Sequence, residues 1–198
     1  MSEPVAAAQS VVQVDYHTFH LADADAALPP FIPTNGLAIA QPGIVVVVTG
    51  ASSGRVSVAV EVREAPPAEL DANAWDEVVD VTLEATTGRV RVASLMADAP
   101  ELPVLTPFGP GPYRVRVHAR GRDIAPDGVA FEPVEDYLVI TWPDRPQPDV
   151  VHKRTDRHGE QLREYLQRHP PPDIAPQPVD NEQQRRDDRL RRAASRPR

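Results

Sequence analysis

Residues 113–123 read Tyr-Arg-Val-Arg-Val-His-Ala-Arg-Gly-Arg-Asp. If this run is a strand, alternation lines Arg114, Arg116 and His118 on one face, with Arg120 and Arg122 just beyond, and such a row of cations can hold a phosphate or carboxylate. A competing use is internal. The acids Asp76, Asp80 and Glu84 fall outward on another alternating segment, and a ladder of cross-strand ion pairs would tie the arginines up. Asp76, Asp80, Glu84, Arg114, Arg116 and His118 are therefore the candidate binding residues, and in an acidic body the ladder is the favoured arrangement.

Other chemistry is weaker. His17 and His20 stand near Asp15, Asp23 and Asp25, types that bind metals, but residues three apart in a strand point to opposite faces, so no metal is expected. Ile44–Val48 followed by Thr49-Gly50-Ala51-Ser52-Ser53-Gly54 looks like the opening of a short-chain dehydrogenase. That loop works only when a helix N-terminus follows it to hold a pyrophosphate. Here residues 55–63 continue as a valine-alternating strand, position 56 is Val where a third glycine is needed, and the only lysine, Lys153, has Asp149 four residues before it in place of the Tyr of a Tyr-x-x-x-Lys motif. No cofactor is expected, and the Gly and Ser residues are read as a hairpin turn. There is no nucleophile elbow, HExxH or P-loop, and the adjacent Glu135 and Asp136 would face opposite sides of a strand. No catalytic residue is assigned; the sequence reads as a non-enzyme.

Charge narrows the partner. The net charge of −8 divides unevenly, with 19 acids against 8 arginines in residues 1–143 and 10 acids against 13 bases in residues 144–198. An acidic body argues against nonspecific nucleic-acid binding, which needs clustered Lys and Arg to displace counterions, and permits binding to a basic protein. The longest apolar run, Ile44–Val48, is far short of the roughly 18–20 residues of a membrane span, and the N-terminus lacks the basic and apolar regions of a secretory signal. Zero cysteines fit a cytoplasmic location.

These residues need a scaffold, and proline punctuation with period-two alternation supplies its outline. Residues 54–63 place Val56, Val58, Val60 and Val62 on one face. Residues 75–84 place Trp75, Val79, Val81 and Leu83 inward, and with residues 89–93 they predict a hairpin across Thr86-Thr87-Gly88. Residues 11–19, 44–48, 113–118 and 137–142 complete the set. About seven to eight short strands predict an all-β protein, an antiparallel β-sandwich over residues 1–143. Residues 144–198 hold eight prolines and dense charge, and predict a Pro/Arg-rich tail, partly helical or disordered, with helical stretches over 151–168 and 181–194.

The order of these strands resembles the competence protein J family, typified by an inhibitor of a DNA-entry nuclease. The resemblance runs over residues 11–143. It begins at Val14-Asp15-Tyr16-His17-Thr18-Phe19, continues through Gly36-Leu37-Ala38-Ile39-Ala40 and Gly43-Ile44, and passes Gly88, Val90, Val92 and Ala93-Ser94-Leu95-Met96. It closes with Gly111, Tyr113 and Asp136-Tyr137-Leu138-Val139-Ile140. The resemblance implies a noncatalytic fold that binds protein, with a nuclease as one candidate partner and the partner's identity left open, and it carries over no inhibitory residue. Two rivals remain: a small-molecule or carbohydrate module using Trp75, Trp142 and Tyr113, and an enzyme built around His17 and His118.

Overall fold

Valine-rich alternation without a long helical period makes the strand the dominant regular element of this chain. The computed structural model describes residues 3–23, 26 and 33–170, and among these it contains eleven strands and one helix. In chain order they are β1 (Ala6–Asp15), β2 (Thr18–Ala22), β3 (Ala38–Gln41), β4 (Ile44–Val48), β5 (Ser53–Val62), β6 (Glu77–Ala85), β7 (Arg91–Ala93), β8 (Gly111–Arg120), β9 (Val129–Ala130), β10 (Asp136–Pro143), β11 (Val150–Arg154) and α1 (Arg157–Arg168).

All the strands belong to one sheet, ordered β11-β6-β8-β10-β5-β1-β2-β4-β3, with β7 beside β2 and β9 beside β5. Pairing is antiparallel except for β10 and β9, which run parallel to β5. The sheet curls back on itself, and Gly43, between β3 and β4, donates its N–H to the Glu84 carbonyl of β6 at 2.7 Å. The fold is thus largely β, as expected, but it is a mixed, curled half-barrel in place of the antiparallel sandwich. Curling lets one apolar face close on itself, so no second sheet is needed to cover it.

Val56, Val58, Val60 and Val62 of β5, Val79, Val81 and Leu83 of β6, and Val115 and Val117 of β8 all lie in this interior, as their alternation requires. Leu102 and Leu105, from the loop between β7 and β8, are buried there too. The loop is anchored by Leu105 N–H to Val90 O at 2.8 Å and by the Thr141 hydroxyl to Leu105 O at 2.7 Å.

Several expected pairings are replaced. Residues 11–19 are not one strand, because the chain reverses at Tyr16 and His17, whose φ angles are 54° and 60°. Both are left-handed, the geometry of a tight hairpin turn. His17 is held in it by its N–H to Ser52 O (3.0 Å) and by Thr49 N–H to its carbonyl (2.8 Å). The hairpin expected across Gly54 does not form: β4 lies between β2 and β3, and β5 lies between β1 and β10. Nor do β6 and β7 pair, since β7 joins β2. The turn between them is organised instead by the Asp23 carboxylate, which accepts from the amides and hydroxyls of both Thr86 and Thr87. Such partners are distant in sequence, and alternation carries no information about them.

Trp75 is not an inward residue. It precedes β6 and lies half-buried against the outward-facing His118, at 5.3 Å between ring centroids. The expected body–tail boundary at 143 coincides with the end of β10, but the chain then re-enters the sheet as β11, antiparallel to β6. α1 follows, capped by Asp156, whose side chain accepts from Gly159 N–H at 2.8 Å. The expected stretch at 151–168 is therefore strand and then helix, both attached to the body. The second, at 181–194, lies outside the described residues.

Candidate functional site

The arginine strand is β8, with β6 on one side and β10 on the other. Tyr113, Val115, Val117 and Ala119 face the interior, which sends Arg114, Arg116 and His118 outward. Register places Asp80 directly opposite Arg116. The two form a bidentate pair, Arg116 Nε to Asp80 Oδ1 at 2.6 Å and Nη2 to Oδ2 at 2.9 Å. His152 Nε2 of β11 lies 3.0 Å from Asp80 Oδ2. Burial works to raise the Asp80 carboxyl, but the hydrogen bonds and charges of Arg116 and His152 outweigh it and hold the group below its usual range. Arg114 is opposite Thr82 and donates to its hydroxyl (2.8 Å) and to the carbonyls of Gln147 (3.0 Å) and Pro148 (3.2 Å).

This outward face is covered. The Arg116 guanidinium stacks over Trp142 at 5.4 Å, and Arg120 over Trp75 at 5.1 Å. His118 is buried beneath Trp75, and burial, more than the neighbouring Arg116 charge, pushes its pKa down. Asp76 accepts from Gly121 N–H at 3.0 Å. Of the six candidate residues the structure joins Arg116 to Asp80, sets Arg114 beside them, buries His118, engages Asp76 with backbone and leaves Glu84 exposed at the strand end. The predicted cross-strand ladder is present at one rung, Asp80–Arg116.

A second polar cluster, which sequence reading missed, sits where the barrel end meets α1. Arg122 is fully buried and grips Asp156 through Nε (2.6 Å) and Nη2 (2.9 Å), while its Nη1 donates to Gly36 O and Val48 O. Glu77, also fully buried, accepts from both terminal nitrogens of Arg163. Burial, reinforced by the nearby Asp156 charge, pushes the Glu77 carboxyl up to about 7 despite Arg163. Glu135 accepts from the amides of Gly50 (3.1 Å) and Ala51 (2.6 Å) and from the Tyr137 hydroxyl. The glycine turn that mimics a dinucleotide loop thus binds an anion, the chain's own Glu135, and runs into β5. A Cβ at Gly50 would lie 2.0 Å from Arg122 O, so the turn has no space to spare.

At the same end His17 and His158 stack with centroids 6.4 Å apart, and His17 Nε2 lies 3.6 Å from Asp127 Oδ1. Burial and the Arg122 charge lower the His158 pKa. Tyr16, His17 and Asp127 are the non-glycine residues with positive φ among the described residues, so backbone strain gathers here. An imidazole beside a carboxylate can move a proton, but His118, the other half of the enzyme rival, is committed elsewhere, to Trp75 and Leu138 O. Among the described residues no three His, Asp or Glu side chains converge to hold a metal.

The charge left at the surface is acidic. In the body, burial withdraws Arg114, Arg116 and Arg122 together with Asp23, Glu77, Asp80 and Glu135, and the exposed acids Glu64, Glu69, Asp71, Glu84, Asp98, Glu101, Asp127 and Glu132 outnumber the exposed arginines Arg55, Arg89, Arg91 and Arg120. No helix among the described residues is long and apolar enough to cross a membrane. No family model matches the chain, and no curated protein does. Among solved structures, "Crocagin biosynthetic gene J" is similar in part, with a TM-score of 0.42 and 17% identity over 71% of this chain and 98% of that one.

Proposed function

We propose that this chain is a noncatalytic cytoplasmic binding protein whose acidic surface engages a basic protein. The observation that carries the reading is the excess of acids on the surface of the body: among its described residues nine acids are exposed against four arginines, Arg55, Arg89, Arg91 and Arg120. Such a surface attracts a basic groove at long range. The sequence resemblance to the competence protein J family supports a nuclease as the partner class, since a nuclease holds nucleic acid in a basic groove. The sugar-platform alternative loses its support, because Trp142 is buried and Trp75 is stacked between His118 and Arg120.

The test is the association rate of the full chain with purified basic nucleases from its host, measured as the Debye length falls from about 10 Å at 0.1 M salt to about 3 Å at 1 M. Rapid, salt-sensitive association with inhibition of cleavage supports the reading. Absence of micromolar binding to every such nuclease removes it.

A further inference from the structure

Strand β1 is ten residues long, and register pairs every one of them with β5. On its other side the match with β2 is a single pair, Asp15↔Thr18, after which β2 turns away to β4 and β7. Among the described residues no other strand pairs with β1, and no backbone hydrogen bond joins residues 6–14 to a loop.

An open strand edge invites another strand, and proteins usually guard against this with charge, bulges or shortness. The two terminal strands of this sheet are so guarded. β11 carries Lys153 and Arg154 and a register shift between Val151 and Lys153, and β3 has only four residues. β1 has none of these protections. Residues 4–14 contain no charged side chain, residues 5–14 contain no Pro or Gly, and Ala7, Gln9 and Val11 are exposed.

We propose that the free edge of β1 pairs with β1 of a second copy, extending the sheet across a two-fold axis. Charge selects the occupant. Two chains of net −8 repel each other wherever acids meet, and this uncharged strand lets identical chains approach, since interface centres are depleted of charge. A basic partner would instead be drawn to the acidic loops. Antiparallel pairing of one strand with itself satisfies the two-fold rule that the same patch serves both subunits. The inference stands apart from the proposed nuclease partner.

The experiment uses the full chain. Sedimentation across a range of concentrations, with hydrogen exchange of the β1 amides, is expected to show a dimer whose formation protects residues 6–14. The Gln9→Lys/Val11→Lys variant places lysines against lysines and is expected to weaken association at least about tenfold while retaining the wild-type melting curve. Mixing it with Gln9→Glu/Val11→Glu restores a mixed dimer, which a merely misfolded variant could not do. A wild type that stays monomeric at its highest soluble concentration overturns the proposal. So does a dimer untouched by the lysines, or β1 protection that arises only when a different protein is added.

Discussion

Arg122, in the loop after β8, and Asp156, the cap of α1, form a bidentate ion pair with both side chains buried, 34 residues apart in sequence. The pair fastens a polar helix that has little apolar surface of its own to bury. Breaking one side of such a pair leaves an uncompensated buried charge, at a cost of about 3–5 kcal/mol, whereas replacing both partners with apolar groups is often neutral. Asp156→Ala is therefore expected to destabilise the protein by about that amount, and Arg122→Met/Asp156→Leu by much less. Chemical denaturation of the two variants decides it; equal losses would show that the pair contributes as separate groups. Ending the chain at residue 143 removes Asp156 and β11 together and is expected to cost at least as much.

Glu77 predicts a pH dependence of opposite sign to that of an ordinary salt-bridged acid. Its carboxyl titrates near 7 in the folded chain against 4.5 ordinarily. Between these values the folded chain keeps a proton that the unfolded chain has released, so this contribution is complete below the lower pKa and is lost as pH rises through the upper one. His20, His118 and His158, lowered by burial, act in the opposite sense, favouring the fold above 6.5 and losing that contribution as pH falls through their depressed values. Comparison with Glu77→Gln isolates the acid: the stability of wild type minus variant should fall between pH 4.5 and 7. A constant difference would place Glu77 at its ordinary pKa.

Trp75→Ala should cost about 1–2 kcal/mol, below the roughly 3–5 kcal/mol of a fully buried aromatic, because the ring is half-buried between His118 and Arg120 and outside the core. Thermal denaturation reads it, and a loss in the larger range would put the ring in the core after all.

The left-handed pair Tyr16 and His17 stores strain, at about 1–2 kcal/mol per residue for an ordinary side chain. Tyr16→Asn/His17→Gly supplies residues that tolerate this turn and should raise the melting temperature by a few degrees. A lower melting temperature would mean that the His17–His158 stack outweighs the strain.

Partner binding and stability should separate among the acids. Amides at Glu64, Glu69 and Asp71, exposed in the loop before β6, are expected to slow association with a basic nuclease and flatten its salt dependence while leaving melting unchanged within about 0.5 kcal/mol. Asp80→Asn should do the reverse, weakening the fold through the loss of charge opposite Arg116. Binding impaired by Asp80→Asn in a protein of unchanged stability would return that residue to the interface.

Period-two alternation by itself determined where β5, β6, β8 and β10 run and which residues of β5, β6 and β8 face inward, because side-chain direction in a strand depends on local parity alone. It also aligned Arg116 with the outward acids, one of which became its partner. Which strands become neighbours depends on closure of the whole sheet, so the parallel match of β10 with β5 and the transfer of β7 to β2 were decided only in three dimensions. The same holds for the charged groups. Arg122, Glu77, Glu135 and Asp156 look like solvated surface residues in the sequence, since burial of a charge requires a partner, and each partner lies in a separate segment. Residues 144–170 looked like a detached tail for the same reason: their attachment uses ion pairs and a strand edge in place of an apolar stripe.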